Sequence, residues 1–188
     1  MSEITAVNPQ IIVGISSCLL GDEVRYNGGH KLSRFCKNNL SEYFQFQKFC
    51  PEVAAGFGIP RPTLRLTGNP ESPTLSYTKD MESDVTLQLQ EVCDPYVKKL
   101  EHLDGYILQQ KSPSCGMERV KVFKTDTIPH QEMSPGLFAK ALLEQYPHLP
   151  IEEEGRLNDH PLRENFIERV YAHHHFRTQV AENPSYSA

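Results

Sequence analysis

Short apolar, β-branched runs alternate with segments of helical period along this chain, and that alternation constrains its fold more than any other feature. Residues 11–16 (IIVGIS), 46–50 and 106–108 read as buried strands, with residues 120–123 and 149–152 as further short ones. Between them, residues 31–43 place Leu32, Phe35, Cys36, Leu40 and Tyr43 roughly on one helical face. Residues 80–100 do the same with Val85, Leu89, Val92, Tyr96, Val97 and Leu100, and Pro95 predicts a kink or break there. Ser134-Pro135 has the form of an N-cap and first helical residue for a helix reaching about Tyr146. Asp159, with Pro161 after it, opens a last helix through about His173. Residues 51–79 hold many prolines and glycines and read as a long loop over the sheet edge. The polar tail from Thr178 reads as frayed. Strands separated by helices predict an α/β fold: a three-layer, Rossmann-like or flavodoxin-like open sheet, mostly parallel. Residues 1–152 are expected to form that α/β domain, and residues 153–188 a C-terminal helical extension and tail.

The chain has 188 residues, enough for one domain with a real core. Its formal net charge of −5 argues against tight duplex binding, which needs clustered Lys and Arg, but leaves room for a local basic strip. No stretch is long and apolar enough to span a bilayer, and residues 1–10 lack the basic flank and apolar run of a signal peptide. A cytoplasmic location is therefore expected. Thiols stay reduced there, so the five cysteines read as ligands, catalysts or core residues rather than disulfides.

Three of them share a context. Cys18 follows the first strand, Cys50 ends the second, and Cys115 follows the third. In an open parallel sheet the carboxyl ends of the strands line up along one edge, where ligands bind. These cysteines, remote in sequence, are thereby expected to meet in space, at a metal centre on that edge. Soft thiolates select zinc, copper(I) or iron–sulfur clusters, and the spacing is no CxxC pair, which speaks against a zinc ribbon. A cluster held by three cysteines leaves one iron without a protein ligand, open to a substrate atom. Cys36 and Cys93 fall inside helical patterns and read as small core residues.

The flanking residues add chemistry. Cys50-Pro51-Glu52 sets a carboxylate beside a candidate ligand, which suits proton transfer. Residues 111–116 (KSPSCG) supply two hydroxyls and backbone amides, and Gly116 lets the loop curl closely. Arg25, within RYNGG, offers a grip on an anionic or planar ligand; Arg61 and Arg65 are candidates to reach phosphate or base carbonyls, against an ordinary salt-bridge role. His173-His174-His175 makes a poor metal site, because adjacent helical residues point in different directions. The acidic run 152–154 reads as solvated.

Taken together, SSCLLG with RYNGG (16–21 and 25–29), CPEVAAGFGIPRPTLRL (50–66) and KSPSCG (111–116) resemble the thiouracil desulfidase family over roughly residues 10–152. The resemblance implies a [4Fe–4S] cluster held by Cys18, Cys50 and Cys115. The thiocarbonyl sulfur of a thiolated uracil or uridine would bind the open iron. Hydrolysis at carbon would then give uracil, with the sulfur left on the cluster before release and no net redox change. Glu52 matches the family's acid/base position and Ser112 its substrate-site serine. Residues 155–176 (GRLNDHPLRENFIERVYAHHHF) resemble the junction in longer relatives that carry a second, helical domain and remove sulfur from 4-thiouridine in tRNA, so the chain is expected to be a short relative or a fragment. The expected partner is a small thiolated pyrimidine or nucleoside, with tRNA left open by the tail; oligomeric state and the choice between 2-thio and 4-thio substrates stay undetermined. Two other readings compete: a redox or sensing protein whose cluster only handles electrons, and a zinc-stabilised RNA-interaction module.

Overall fold

The computed structural model describes residues 11–181. Sheet A has four strands, all parallel, in the order β2-β1-β5-β8: β1 (Ile12–Ser16), β2 (Gln45–Phe49), β5 (Gly105–Leu108) and β8 (Ile151–Glu153). Side chains alternate across its faces. Val13, Ile15 and Ile107 face one core with Cys36 of α1 (Arg34–Asn38) and Phe166 and Val170 of α5 (His160–His175). Tyr106, Leu108 and Ile12 face the other, against Leu89, Cys93 and Val97 of α3 (Thr86–Val97) and Phe138 and Leu142 of α4 (Leu137–Gln145). The expected three-layer α/β arrangement is present. Gly14 in β1 is required by packing: a Cβ there would stand 2.3 Å from the Tyr106 ring.

The sequence reading did not anticipate a second sheet. Sheet B runs β4-β3-β6-β7 and is mixed, from β3 (Leu64–Asn69), β4 (Ser72–Tyr77), β6 (Val120–Phe123) and β7 (Pro129–Ser134). Residues 51–79 are therefore no long loop: they hold the short helix α2 (Pro51–Ala54) and the β3–β4 hairpin. The hairpin buries only a few apolar side chains, Leu66 and Leu75 among them, and its prolines and glycine masked the strand period. Ser134 ends β7, opposite Val120, and α4 starts three residues later behind Gly136. The first helix is also shorter than its apolar period suggested. Ser33 caps it, accepting from the Cys36 N–H, while Lys31 and Ser33 donate their amides to Cys18 and Leu19 carbonyls. α3 continues past Pro95 to Val97 without a break, and Pro95 sits on the exposed face.

α5 begins as expected, with the Asp159 side chain accepting from Leu162 N–H and Pro161 in the first turn. It continues as a π-helical turn, Phe176–Ala181. Of the tail expected to fray from Thr178, residues 182–188 lie outside the described residues, as do residues 1–10. The histidine run serves the fold. Asp104, fully buried ahead of β5, accepts from His174 Nδ1 at 2.9 Å and from Arg177 Nε and Nη2 at 3.1 and 2.9 Å, with His173 Nδ1 at 3.8 Å. It also accepts from Ile12 N–H at 3.1 Å, which ties α5 to β1. Among the described residues no helix is long and apolar enough to cross a membrane.

Burial pushes the Asp104 carboxyl up, but the nearby His173 and the hydrogen bonds from His174, Arg177 and the Ile12 amide outweigh it and hold the carboxyl at about 2, below its ordinary 3.8. A carboxylate with a depressed folded-state pKa stabilises the fold above the unfolded value and stops doing so as pH falls through the folded one. Thermal unfolding of the wild type should accordingly lose about 2 kcal/mol between roughly pH 5 and pH 2 through this residue. Asp104→Asn should be destabilised at neutral pH and show a correspondingly shallower acid dependence; parallel acid curves for the two proteins would contradict the assignment.

Candidate metal centre and active site

Parallel pairing of β1 with β2 on one side and β5 on the other puts three carboxyl strand ends side by side, at the point where the chain order reverses. Cys18 lies in a 3-10 turn (Ser17–Leu20) directly after β1, Cys50 caps the N-terminus of α2 directly after β2, and Cys115 sits in the loop after β5. All three line one cavity of about 460 Å³, whose wall also carries Glu52, Ser112, Arg25, Gln109 and Lys111. Cys36 and Cys93 are buried on their helices, in separate parts of the two cores, and do not line it.

The thiols are desolvated. Burial pushes Cys18 up to about 12, with the nearby Cys50 adding to the rise and Arg25 opposing it. Burial also raises Cys50, against the Val53 amide, and raises Cys115 well above an ordinary thiol, against the Ser16 hydroxyl and with Cys50, Glu52 and Cys18 reinforcing it. Cys50 raises both Cys18 and Cys115, and Cys18 also raises Cys115, as near neighbours do; burial and these neighbours favour the protonated thiols in the metal-free protein near neutral pH. A cation that takes them as thiolates offsets that repulsion.

The KSPSCG loop is tightly built. The Ser112 hydroxyl oxygen accepts from Ser114 N–H at 3.2 Å and Cys115 N–H at 3.1 Å. A hydroxyl oxygen has two acceptor sites, so its own hydrogen is what it has left to offer the cavity. Gly116 is obligatory here, since a Cβ would stand 2.4 Å from Val120 Cγ2 and 2.9 Å from the Ser112 carbonyl oxygen. Lys111 adopts φ 58°, the one positive φ at a non-glycine among the described residues. Two carboxylates of the 152–154 run bracket the loop: Glu154 accepts from Gln110 N–H and Glu153 from Met117 N–H, both at 2.9 Å. Glu152 accepts from the Glu153 amide and from Arg156. All three are buried, which corrects the reading of a solvated acidic run; consecutive charges carried no sign that backbone amides of another loop would satisfy them.

Glu52 is held on both sides. Arg61 Nε and Nη2 reach its Oε2 at 2.9 and 2.7 Å, and the Ser114 hydroxyl donates to its Oε1 at 2.9 Å. Arg61 spends its other terminal nitrogen on the Val24 and Gly58 carbonyls. It therefore supports the carboxylate instead of reaching a ligand. Arg65 stands away from the cavity, bonded to Asp126 and the Thr78 carbonyl and stacked over Phe123. Of the three arginines, Arg25, over the Tyr26 ring, is the one on the cavity wall without an acidic partner among the described residues. Sequence reasoning missed Ser16 and Gln109, the latter with Oε1 3.9 Å from Cys18 Sγ, and named Ser114 only as one of the two hydroxyls of its loop, without its partner; strand-end position was a usable signal for Ser16 and Gln109.

The donor set fits an iron–sulfur cluster. It consists of three soft thiols from three strand ends on one cavity wall, the ligand type such clusters take. Glu52, the carboxylate on the cavity wall, is engaged by Arg61 and Ser114.

Fold and site together define an α/β protein with a three-thiol centre at the carboxyl edge of a parallel sheet. The 2-thiouracil desulfurase family model matches residues 13–154, and the chain belongs to that family. It is 29% identical over 154 residues to the protein YbbK of Bacillus subtilis (strain 168), across 77% of this chain and 97% of that one. The solved structure of the [4Fe-4S]-dependent thiouracil desulfidase TudS superposes with a TM-score of 0.62 at 27% identity, over 83% of this chain and 97% of the other. The family match ends at the last residue of the acidic run, so α5 lies beyond it.

The bracketing carboxylates make a testable claim. Glu153→Ala removes the acceptor for the Met117 amide and should cost about 1–3 kcal/mol in thermal unfolding and loosen amide-exchange protection at residues 110–117. Glu153→Gln keeps an acceptor oxygen and should lose less. Equal losses in the two variants would show that the loop does not depend on that hydrogen bond.

Proposed function

We propose that this protein is a [4Fe–4S]-dependent desulfidase that removes sulfur from thiolated uracil or uridine by hydrolysis, without net electron transfer, in residues 1–152. The observation that carries the reading is the convergence of Cys18, Cys50 and Cys115 on one cavity whose wall also holds Glu52 and Ser112. Membership of the 2-thiouracil desulfurase family and the likeness to TudS support it.

Cys18, Cys50 and Cys115 would hold the cluster. When bound, it supplies a soft, Lewis-acidic iron with affinity for a thiocarbonyl sulfur. The remaining work falls to the chain. The Ser112 hydroxyl, its oxygen already filled by two amides, donates to the polar edge of the base and orients it. Glu52 takes a proton from the attacking water or returns one to the ring through Oε1, which keeps a lone pair beyond the contact to Ser114, while Oε2 is filled by the two Arg61 contacts. Phe49, Leu64 and Pro113 give the cavity apolar wall, which limits water around the reacting carbon.

The test is anaerobic cluster reconstitution followed by incubation with 2-thiouracil, 4-thiouridine and thiolated tRNA while sulfide is followed. Sulfide from a free base or nucleoside supports the small-molecule reading, and sulfide from tRNA alone would move the substrate to the macromolecule. Cys18→Ala, Cys50→Ala and Cys115→Ala should each lose bound iron. Cys36→Ala and Cys93→Ala should keep it and cost about 1 kcal/mol of packing. Normal iron in Cys115→Ala, or a colourless zinc protein in place of a brown one containing iron and sulfide, would sink the three-ligand model. Glu52→Gln should retain the cluster and lose about 100-fold or more in turnover, since the amide keeps the shape and not the proton chemistry.

A further inference from the structure

We infer that Ser114 is a positioning residue for the reaction: it ties the Glu52 carboxylate to the loop that carries Cys115 and Ser112. The inference rests on the desulfidase reading above and adds a residue to it. Ser114 is fully buried, so its hydroxyl touches neither the cavity nor water. Its hydroxyl goes to Glu52 Oε1, 62 residues away in sequence. Its backbone is held at both ends: its N–H goes to the Ser112 hydroxyl, and its carbonyl accepts from Ala139 N–H at 3.1 Å, in the first turn of α4.

The contact has a geometric consequence. Arg61 engages Glu52 through Oε2 alone, and a carboxylate held at one oxygen can still swing about that oxygen. Ser114 supplies the second fixed point and sets the plane of the carboxylate. Because Ser112 accepts the Ser114 amide and also the Cys115 amide, one short segment sets a cluster ligand, a substrate-facing hydroxyl and the orientation of the carboxylate. A displacement of one moves all three, which keeps the proton-transfer group in register with the metal centre. Fixing a reactive group within a fraction of an ångström is what such supporting contacts contribute to rate. A residue that acts only by aiming a carboxylate alters turnover without altering substrate binding or cluster loading.

The experiment uses cluster-reconstituted protein with 2-thiouracil and 4-thiouracil as substrates and sulfide release as readout. Ser114→Ala should retain iron and sulfide content and the visible spectrum. Its kcat should fall about tenfold or more, with KM within about twofold of wild type. In a Glu52→Asp background, whose shorter carboxylate no longer reaches Ser114, adding Ser114→Ala should change kcat less than about twofold, because the contact is already broken. Wild-type kcat in Ser114→Ala overturns the proposal. So does an equal fold-loss in the two backgrounds, and so does a loss of iron in Ser114→Ala, which would make the residue a support of the ligand loop and not of the carboxylate. Full turnover by Glu52→Gln would remove the reading underneath, and it is measured separately from the Ser114 comparison.

Discussion

Parallel hydrogen bonding of β1 to β2 and β5 is the constraint on which the rest of this structure depends. It forces three carboxyl strand ends onto one edge and delivers a thiol at or after each of them. Concentrating three thiols there has a cost in the absence of metal, visible in the raised Cys18, Cys50 and Cys115. Burial is the largest cause in each case, and the neighbouring thiols add to it for Cys18 and Cys115. The same desolvation that makes the thiolates unfavourable alone makes them strong ligands once a cation is present.

At both ends of the sheet the protein uses buried or partly buried carboxylates as fixed acceptors. Asp104 fastens α5 to β1 at the opposite end of the sheet, Glu153 and Glu154 bracket the KSPSCG loop, and Glu52 is held between Arg61 and Ser114. Each is paired with backbone amides, hydroxyls or cationic side chains, as buried charge requires. Only Glu52 among them lines the cavity, which sets it apart from those that hold the frame.

Much of this was legible from residue pattern. The strands of sheet A are short apolar runs bounded by turns, and their parallel order follows from the helices between them, so the meeting of the three cysteines could be anticipated. Sheet B was not legible. Its strands bury few apolar side chains, contain Pro73 and Gly68, or begin at Pro129, so the alternating period that marks a half-buried strand is weak. The fate of polar residues was also beyond local pattern. Glu153, Glu154 and His174 are explained by partners dozens of residues away, and Arg61 by a carboxylate nine residues back, and spacing along the chain says nothing about which amide or carboxylate will meet them. Glu52 drew attention as the carboxylate two residues after a strand-end cysteine, and Ser112 through the family resemblance; the structure sets both on the cavity wall. The role of Ser114, next to Cys115, was passed over because its partner is Glu52 and not the cavity.

The account's central claim is that three protein thiols hold the cluster and leave one iron without a protein ligand. The direct measurement is the response of the anaerobically reconstituted cluster to hydrosulfide, followed by visible absorption and by spin resonance after one-electron reduction. The account predicts a saturable change in both with hydrosulfide, a comparable change with a thiolated pyrimidine, and a weak one with uracil, which lacks the soft sulfur. Spectra indifferent to hydrosulfide would mean that a fourth protein group completes the coordination, and would contradict it.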